Sequence, residues 1–199
     1  MLNNTPVRKV KHCRKKANAF TLLELMTSIS ITSILATIAM TSLQGFIVQM
    51  RVDNEISQLH RMLLITRNSA INSGQKAILC PLDIRFNCTT QWHKDLSIFI
   101  DTNDNKIFDH HNNEKVIRIK EAINPNDILI YGKGRNKITF KPTGQLSGLA
   151  NGTFRYCPKD YKTKARGIIV ARSGRVYQST DINNDGLDEN RSYKNITCN

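Results

Sequence analysis

Asp181, Asn183 and Asp185 stand at alternate positions ahead of Gly186. That is the opening spacing of a calcium loop, in which oxygen ligands precede a turn glycine. An EF-hand would place glutamate at the twelfth position, which here is Ser192, so Asp188 and Glu189 could serve only a shorter loop. Asx-rich turns stabilise themselves through side chain to backbone bonds, so the self-bonded turn is the preferred reading and a metal the lesser one. Asp101-Thr102-Asn103-Asp104-Asn105 is a poorer match with no glycine.

A second chemistry is suggested by residues 155–175, which hold Arg155, Lys159, Lys162, Lys164, Arg166, Arg172 and Arg175 against one acid, Asp160, with Tyr156 and Tyr161 interleaved. Clustered cations meet phosphates, and aromatic faces stack unpaired bases. Lys162, Lys164, Arg166, Arg172 and Arg175 are therefore candidates for DNA contact. A solvated face on a basic protein is the plainer alternative and the preferred one. Lys133, Arg135 and Lys137 form a second basic group that could lie nearby. No Gly-x-Ser-x-Gly, Walker A or His-Glu-x-x-His pattern occurs, so no catalytic residues and no cofactor are expected, and the chain does not read as an enzyme.

The elements that must carry these residues follow from the charge distribution. The chain has 199 residues, with 29 Lys+Arg against 16 Asp+Glu and a net charge of +13. Residues 1–19 contain Arg8, Lys9, Lys11, Arg14, Lys15 and Lys16 and no acid, and residues 20–50 contain a single charge, Glu24, before Arg51. As a helix, residues 20–48 would extend roughly 43 Å, enough to cross a hydrocarbon core of about 30 Å, with the basic flank left in the cytoplasm. A secretory signal peptide has a shorter apolar core without a carboxylate, and a plain anchor would leave Glu24 without a partner.

Beyond the apolar stretch, Val52, Ile56, Leu59, Leu63 and Ala70 recur at helical steps with Asp53, Glu55, Gln58, Arg61 and Arg67 between them. The spacing predicts that the helix continues through residues 49–74 as an amphipathic half, with Gly45 as a flexible point and Gly74 as its C-cap. Short strands are predicted at residues 77–80, 96–100, 116–119, 128–131, 137–140, 152–156, 167–171 and 175–177. One long helix packed on an antiparallel sheet is an α+β domain, with residues 75–199 as the β-rich part.

Asn18-Ala19-Phe20-Thr21-Leu22-Leu23-Glu24-Leu25-Met26 resembles the class III leader junction of type IV pilins and type II secretion pseudopilins. The resemblance implies that residues 1–19 are a leader, removed by a membrane prepilin peptidase between Ala19 and Phe20. The new Phe20 amine is then N-methylated, and Glu24, the fifth residue of the mature chain, pairs with a neighbouring subunit's terminal amine during assembly. Ala19 stands where the family usually has glycine. The implied location is the bacterial inner membrane, N-terminus cytoplasmic and β domain periplasmic, and then a pilus or pseudopilus built with other pilins or pseudopilins.

Four further stretches narrow the resemblance to the GspH/FimT group. They are Asn68-Ser69-Ala70-Ile71 in the helix, Ser97-Ile98-Phe99-Ile100-Asp101 followed by Asn103 and Asp104, Ile138-Thr139-Phe140-Lys141-Pro142-Thr143-Gly144, and residues 168–176 with Arg172-Ser173-Gly174-Arg175-Val176. The group implies a type IV pilin-like fold and contains minor pilins of type IV pili and the minor pseudopilin of type II secretion. Some of its pilins bind DNA through a C-terminal Gly-Arg-x-Arg. The corresponding run here is Gly174-Arg175-Val176-Tyr177, with tyrosine at the second arginine.

Loss of the leader would remove Cys13 and leave Cys80, Cys88, Cys157 and Cys198, an even set suited to two disulfides in an oxidising periplasm. Three pairings are possible, of which Cys80–Cys88 with Cys157–Cys198 is the simplest. A thiol metal site lacks its C-x-x-C spacing.

Overall fold

The computed structural model describes residues 20–109 and 114–198, and for residues 39–42 the backbone alone. The leader, Ala19 and Cys13 lie outside the described residues. The chain divides between Leu43 and Gln44 into two units. The described part of the first is helix from Leu22 onward.

Helix α1 runs from Leu22 to Ser73, 52 residues. Gly74 ends it at a φ of +67°, the left-handed cap expected of glycine. The amphipathic half behaves as its spacing predicts: Val52, Ile56, Leu59, Leu63 and Ala70 are all buried, joined by Met62 and Thr66.

Eight strands follow among the described residues: β1 (Lys76–Pro81), β2 (Leu96–Asp101), β3 (Val116–Lys120), β4 (Ile128–Tyr131), β5 (Ile138–Phe140), β6 (Gly152–Cys157), β7 (Arg166–Val170) and β8 (Val176–Gln178). They form not one sheet but two antiparallel four-stranded sheets, in the orders β3-β2-β1-β5 and β4-β6-β7-β8. The chain builds most of the first sheet from β1 to β3 and most of the second from β6 to β8, and crosses between them in the middle. β4 enters the second, β5 returns to the first, and β6 leaves it again.

One core joins both sheets to the helix. Leu79, Ile98 and Ile138 of the first sheet and Tyr131, Phe154 and Ile168 of the second share it with Val52, Leu59 and Leu63. Trp92 fills its centre, edge-on to Tyr131 and Phe154, and donates its indole N–H to the Arg135 carbonyl at 2.7 Å. On the opposite face of the first sheet Ile78, Cys80, Phe99 and Phe108 make a smaller cluster. The middle of β1 is thus buried on both sides, which explains its unbroken apolar run. Disulfides join Cys80 to Cys88 and Cys157 to Cys198.

Charge ties the helix to the sheets. The Lys120 ammonium lies 2.6 Å from Glu55, both largely buried. Asp127, fully enclosed, receives Arg51 at 3.0 Å, the Tyr156 hydroxyl at 2.5 Å and the Lys159 backbone N–H at 2.9 Å. Burial first, and then the Asp127 carboxylate it donates to, push the Tyr156 hydroxyl well above the ordinary phenol range. These are costly charges to bury, and each is matched, so they fix where the helix lies on the sheets.

Candidate functional site

The N-terminal segment of α1 is built for an apolar medium. Thr21 caps it: its hydroxyl accepts the Glu24 N–H at 3.2 Å and its carbonyl accepts Leu25 N–H at 3.1 Å. With glutamate three residues after threonine, the sequence has the form of a capping box, and Glu24 sits in the first turn, where the helix dipole favours a negative charge. Phe20, Leu22 and Leu23 are 74–81% exposed, and Leu25, Ile29, Ile34 and Ile38 are also bare. The hydroxyls that dilute this stretch are turned inward: Ser28 donates to the Glu24 carbonyl at 2.6 Å, Ser30 to Met26 at 2.8 Å, Ser33 to Ser30 at 2.9 Å and Thr37 to Ile34 at 2.8 Å. Their polarity is spent on the helix's own backbone, so the segment is more apolar outside than its composition suggests. By length and composition no single helix among the described residues qualifies as a membrane span, whereas Leu22–Ile38 and Leu43–Ser73 qualify as a pair.

The basic run of residues 155–175 does not fold as one patch. Lys162 and Lys164 lie on a short 3-10 turn at Lys162–Lys164, and Lys164 donates to the Gln49 side chain at 3.1 Å. Arg166 opens β7 and is engaged by Asp53 at 2.6 Å and Asp188 at 3.6 Å. Arg172 and Arg175 sit beyond the other end of β7, about 20 Å away along an extended strand, on the exposed turn into β8. Neither has an ion-pair partner among the described residues. Arg135 and Lys137 are also committed, to the backbone carbonyls of Asn151 and Lys106.

Two features of this face were not legible in the sequence. Arg175 and Tyr177 are alternate residues and so share a face, and the Arg191 guanidinium stacks 4.2 Å above the Tyr177 ring. A second arginine thus reaches Tyr177, the residue that stands here in place of the second arginine of Gly-Arg-x-Arg. The β7–β8 turn is also pinned from below, where Arg67 of α1 donates to the Gly144 carbonyl at 3.1 Å and Leu146 N–H donates to the Arg172 carbonyl at 3.1 Å.

The Asx-rich loops are self-bonded, as their sequences predict. Asp185 N–H donates to Asn183 Oδ1 at 2.8 Å, Gly186 N–H to Asp181 at 2.9 Å and Leu187 N–H to Asp185 at 2.8 Å. The structure also brings Asp181, Asp185 and Glu189 together, with a carboxylate oxygen of each within 4.8 Å of the others. In the other loop, buried Glu114 accepts from Thr102 N–H and Asp109 N–H at 2.8 and 2.9 Å. Asp101 beside it is held above the ordinary carboxylate range by burial, with the Glu114 and Asp104 charges adding, against the lowering effect of the Lys106 N–H.

Comparison with known proteins bears on the stem and the β domain together. The prokaryotic N-terminal methylation motif matches residues 14–40, and the family described as type II transport protein GspH matches residues 55–174, more than half the chain. The methylation motif implies prepilin peptidase processing and assembly with other pilins. No curated protein sequence matches. Among solved structures, a crystal form of the type IV minor pilin FimU of Pseudomonas aeruginosa strain PAO1 is 18% identical, with 65% of this chain and 88% of that one covered at a TM-score of 0.53. A second crystal form of that pilin gives 18%, 62%, 89% and 0.49. The α+β architecture is the type IV pilin fold, and the family and fold are those of structural, non-enzymatic proteins. The chain belongs to the GspH family of type IV minor pilins and pseudopilins.

Proposed function

We propose that the chain is a minor pilin that is built into, or primes, a type IV pilus. The observation that carries this reading is the stem: a capped helix with large apolar side chains bare on all sides, its hydroxyls folded back on its own carbonyls, and one carboxylate at Glu24. Only lipid, or the stems of other subunits, can cover such a surface at low cost. In this reading residues 20–48 hold the precursor in the inner membrane, with the leader cytoplasmic and residues 75–199 periplasmic. Prepilin peptidase cuts between Ala19 and Phe20, the Phe20 amine is methylated, and Glu24 draws in the terminal amine of a neighbouring pilin. The test is a Glu24→Ala chain: it should be processed normally yet be missing from sheared filaments. Equal incorporation would reject the assembly role of Glu24.

The GspH description favours a second reading, a minor pseudopilin of type II secretion. Deletion separates the two. Loss of pili or twitching with normal exoprotein release fits the pilus, whereas exoproteins trapped in the periplasm with pili intact fit secretion.

DNA capture would be an added role of the pilus form. Its support is the unpaired, exposed Arg172 and Arg175, with Arg191 stacked alongside on Tyr177. Lys162, Lys164 and Arg166 would contribute less, since two of the three are already bonded within the fold. Anisotropy of labelled DNA with the full chain in detergent, across a salt series, tests this. Binding that weakens with salt and is lost in Arg172→Ala/Arg175→Ala supports it, and equal binding by that variant rejects it.

A further inference from the structure

The loop of residues 181–188 is closed at its neck by a mutual pair of backbone bonds, Thr180 N–H to Glu189 carbonyl at 3.2 Å and Glu189 N–H to Thr180 carbonyl at 2.9 Å. Glu189 is therefore fixed in place, and its side chain turns into the loop, where Oε2 accepts the Ile182 N–H at 2.8 Å. The residue is 1% exposed, and its other oxygen, Oε1, is sealed from solvent with no hydrogen-bond partner. Leaving a carboxylate oxygen dry and unmatched is expensive, and here an oxygen each of Asp181 and Asp185 lies within 4.8 Å of a carboxylate oxygen of Glu189. Among the described residues no lysine or arginine forms an ion pair with any of the three. The Asx bonds that organise the loop satisfy backbone N–H groups. They partly offset the charges of Asp181 and Asp185, but none of them reaches the buried Glu189 Oε1, and three carboxylates still converge.

We propose that this loop binds one calcium ion through Asp181, Asn183, Asp185 and Glu189. All the side-chain donors are oxygens, which selects a hard cation over zinc or copper. Magnesium demands near-ideal octahedral geometry and keeps most of its water, whereas calcium accepts irregular oxygen sets of six to eight ligands, the remainder coming from backbone carbonyls and water. The local charge fits as well: the cation offsets an acidic pocket in an otherwise basic chain. Asp188, within the same loop, holds the Ser179 hydroxyl at 2.6 Å, which in turn accepts Gly167 N–H of β7 at 2.8 Å. An ion in the loop would thus tighten the C-terminal segment on the second sheet from one side while the Cys157–Cys198 disulfide holds its end. It would also steady Arg191, two residues past Glu189. The proposal is independent of which machine the filament serves.

The test is calorimetric titration of calcium chloride into the full chain in detergent after chelator treatment, with magnesium chloride in parallel. The expected result is one calcium site with a dissociation constant on the order of 0.1–1 mM, the range of extracellular modules, and much weaker magnesium binding. Glu189→Gln and Asp185→Asn should each weaken calcium by about tenfold or more, whereas Asp104→Asn in the other Asx-rich loop should leave it unchanged. Amide exchange of residues 181–189 in the unsubstituted chain supplies a readout that needs no variant, and protection should rise with calcium. No binding and no added protection at about 10 mM calcium would overturn the site, as would unchanged affinity in the Glu189→Gln chain.

Discussion

Gly174 packs so closely on Gly144 that a Cβ at position 174 would stand 1.8 Å from the Gly144 carbonyl oxygen. Both glycines have positive φ, +81° and +75°, and Arg67 of the helix bonds the same carbonyl. Two turns distant in sequence are thereby locked to the helix, and the lock sets the turn that carries Arg172 and Arg175. It gives a physical reason for glycine in both Lys-Pro-Thr-Gly and Arg-Ser-Gly-Arg, two of the stretches that narrow the family resemblance. Gly174→Ala should destabilise the fold by at least about 2 kcal/mol, combining left-handed backbone strain with a clash that no rotamer relieves. Gly134→Ala, at φ +71° but with open space around it, should cost about 1 kcal/mol. Thermal unfolding of the full chain in detergent measures both, and equal losses would refute the packing argument.

The Lys120–Glu55 pair predicts an asymmetric double-mutant cycle. Glu55→Gln leaves the buried Lys120 ammonium with only the Glu121 carbonyl and should cost about 3–5 kcal/mol. Adding Lys120→Met should recover most of that loss. A double variant no more stable than the single one would show that the pair does not hold the helix to β3.

The two disulfides close loops of very different length, with sequence separations of 8 and 41. On loop entropy alone, paired serine replacement should cost about 2.5 kcal/mol for Cys80–Cys88 and about 4 kcal/mol for Cys157–Cys198. Unfolding of each double-serine chain checks the order, and the reverse order would mean that the C-terminal tail is held chiefly by other contacts.

Asp101 gives a pH signature. Its carboxyl is raised above the ordinary 3.8 in the fold, so the folded state holds its proton more tightly than the unfolded chain does. In the window that opens at 3.8 and closes at the folded value, stability from this group therefore falls as pH rises, and the cost is complete once the folded group has ionised. Asp101→Asn should remove this contribution and raise the melting temperature at neutral pH relative to acidic pH. An unchanged pH profile in that variant would place the burial cost elsewhere.

Much of this fold was legible because its signals are local. The helical steps of Val52, Ile56, Leu59 and Leu63 and the eight apolar runs each report on their own backbone, and the structure places both where the spacing predicts. What was not legible depends on pairing across the chain. Nothing in residues 155–175 says that Arg166 will be claimed by Asp53 and Asp188, which splits the basic run. Nothing marks Trp92 as the centre of the core, or Arg191 as the cation that meets Tyr177. The division into two sheets was missed for the same reason: a strand's pattern reveals which faces it buries, but not which strand lies beside it.

The central claim is that this chain is made as a prepilin and enters the filament through a trimmed, methylated stem. The most direct test is mass spectrometry of the N-terminal peptide of the protein recovered from cells with an active prepilin peptidase. The account predicts a peptide beginning at Phe20 with a single methyl group on its amine. A mature chain beginning at any other residue, or one retaining residues 1–19, would contradict it.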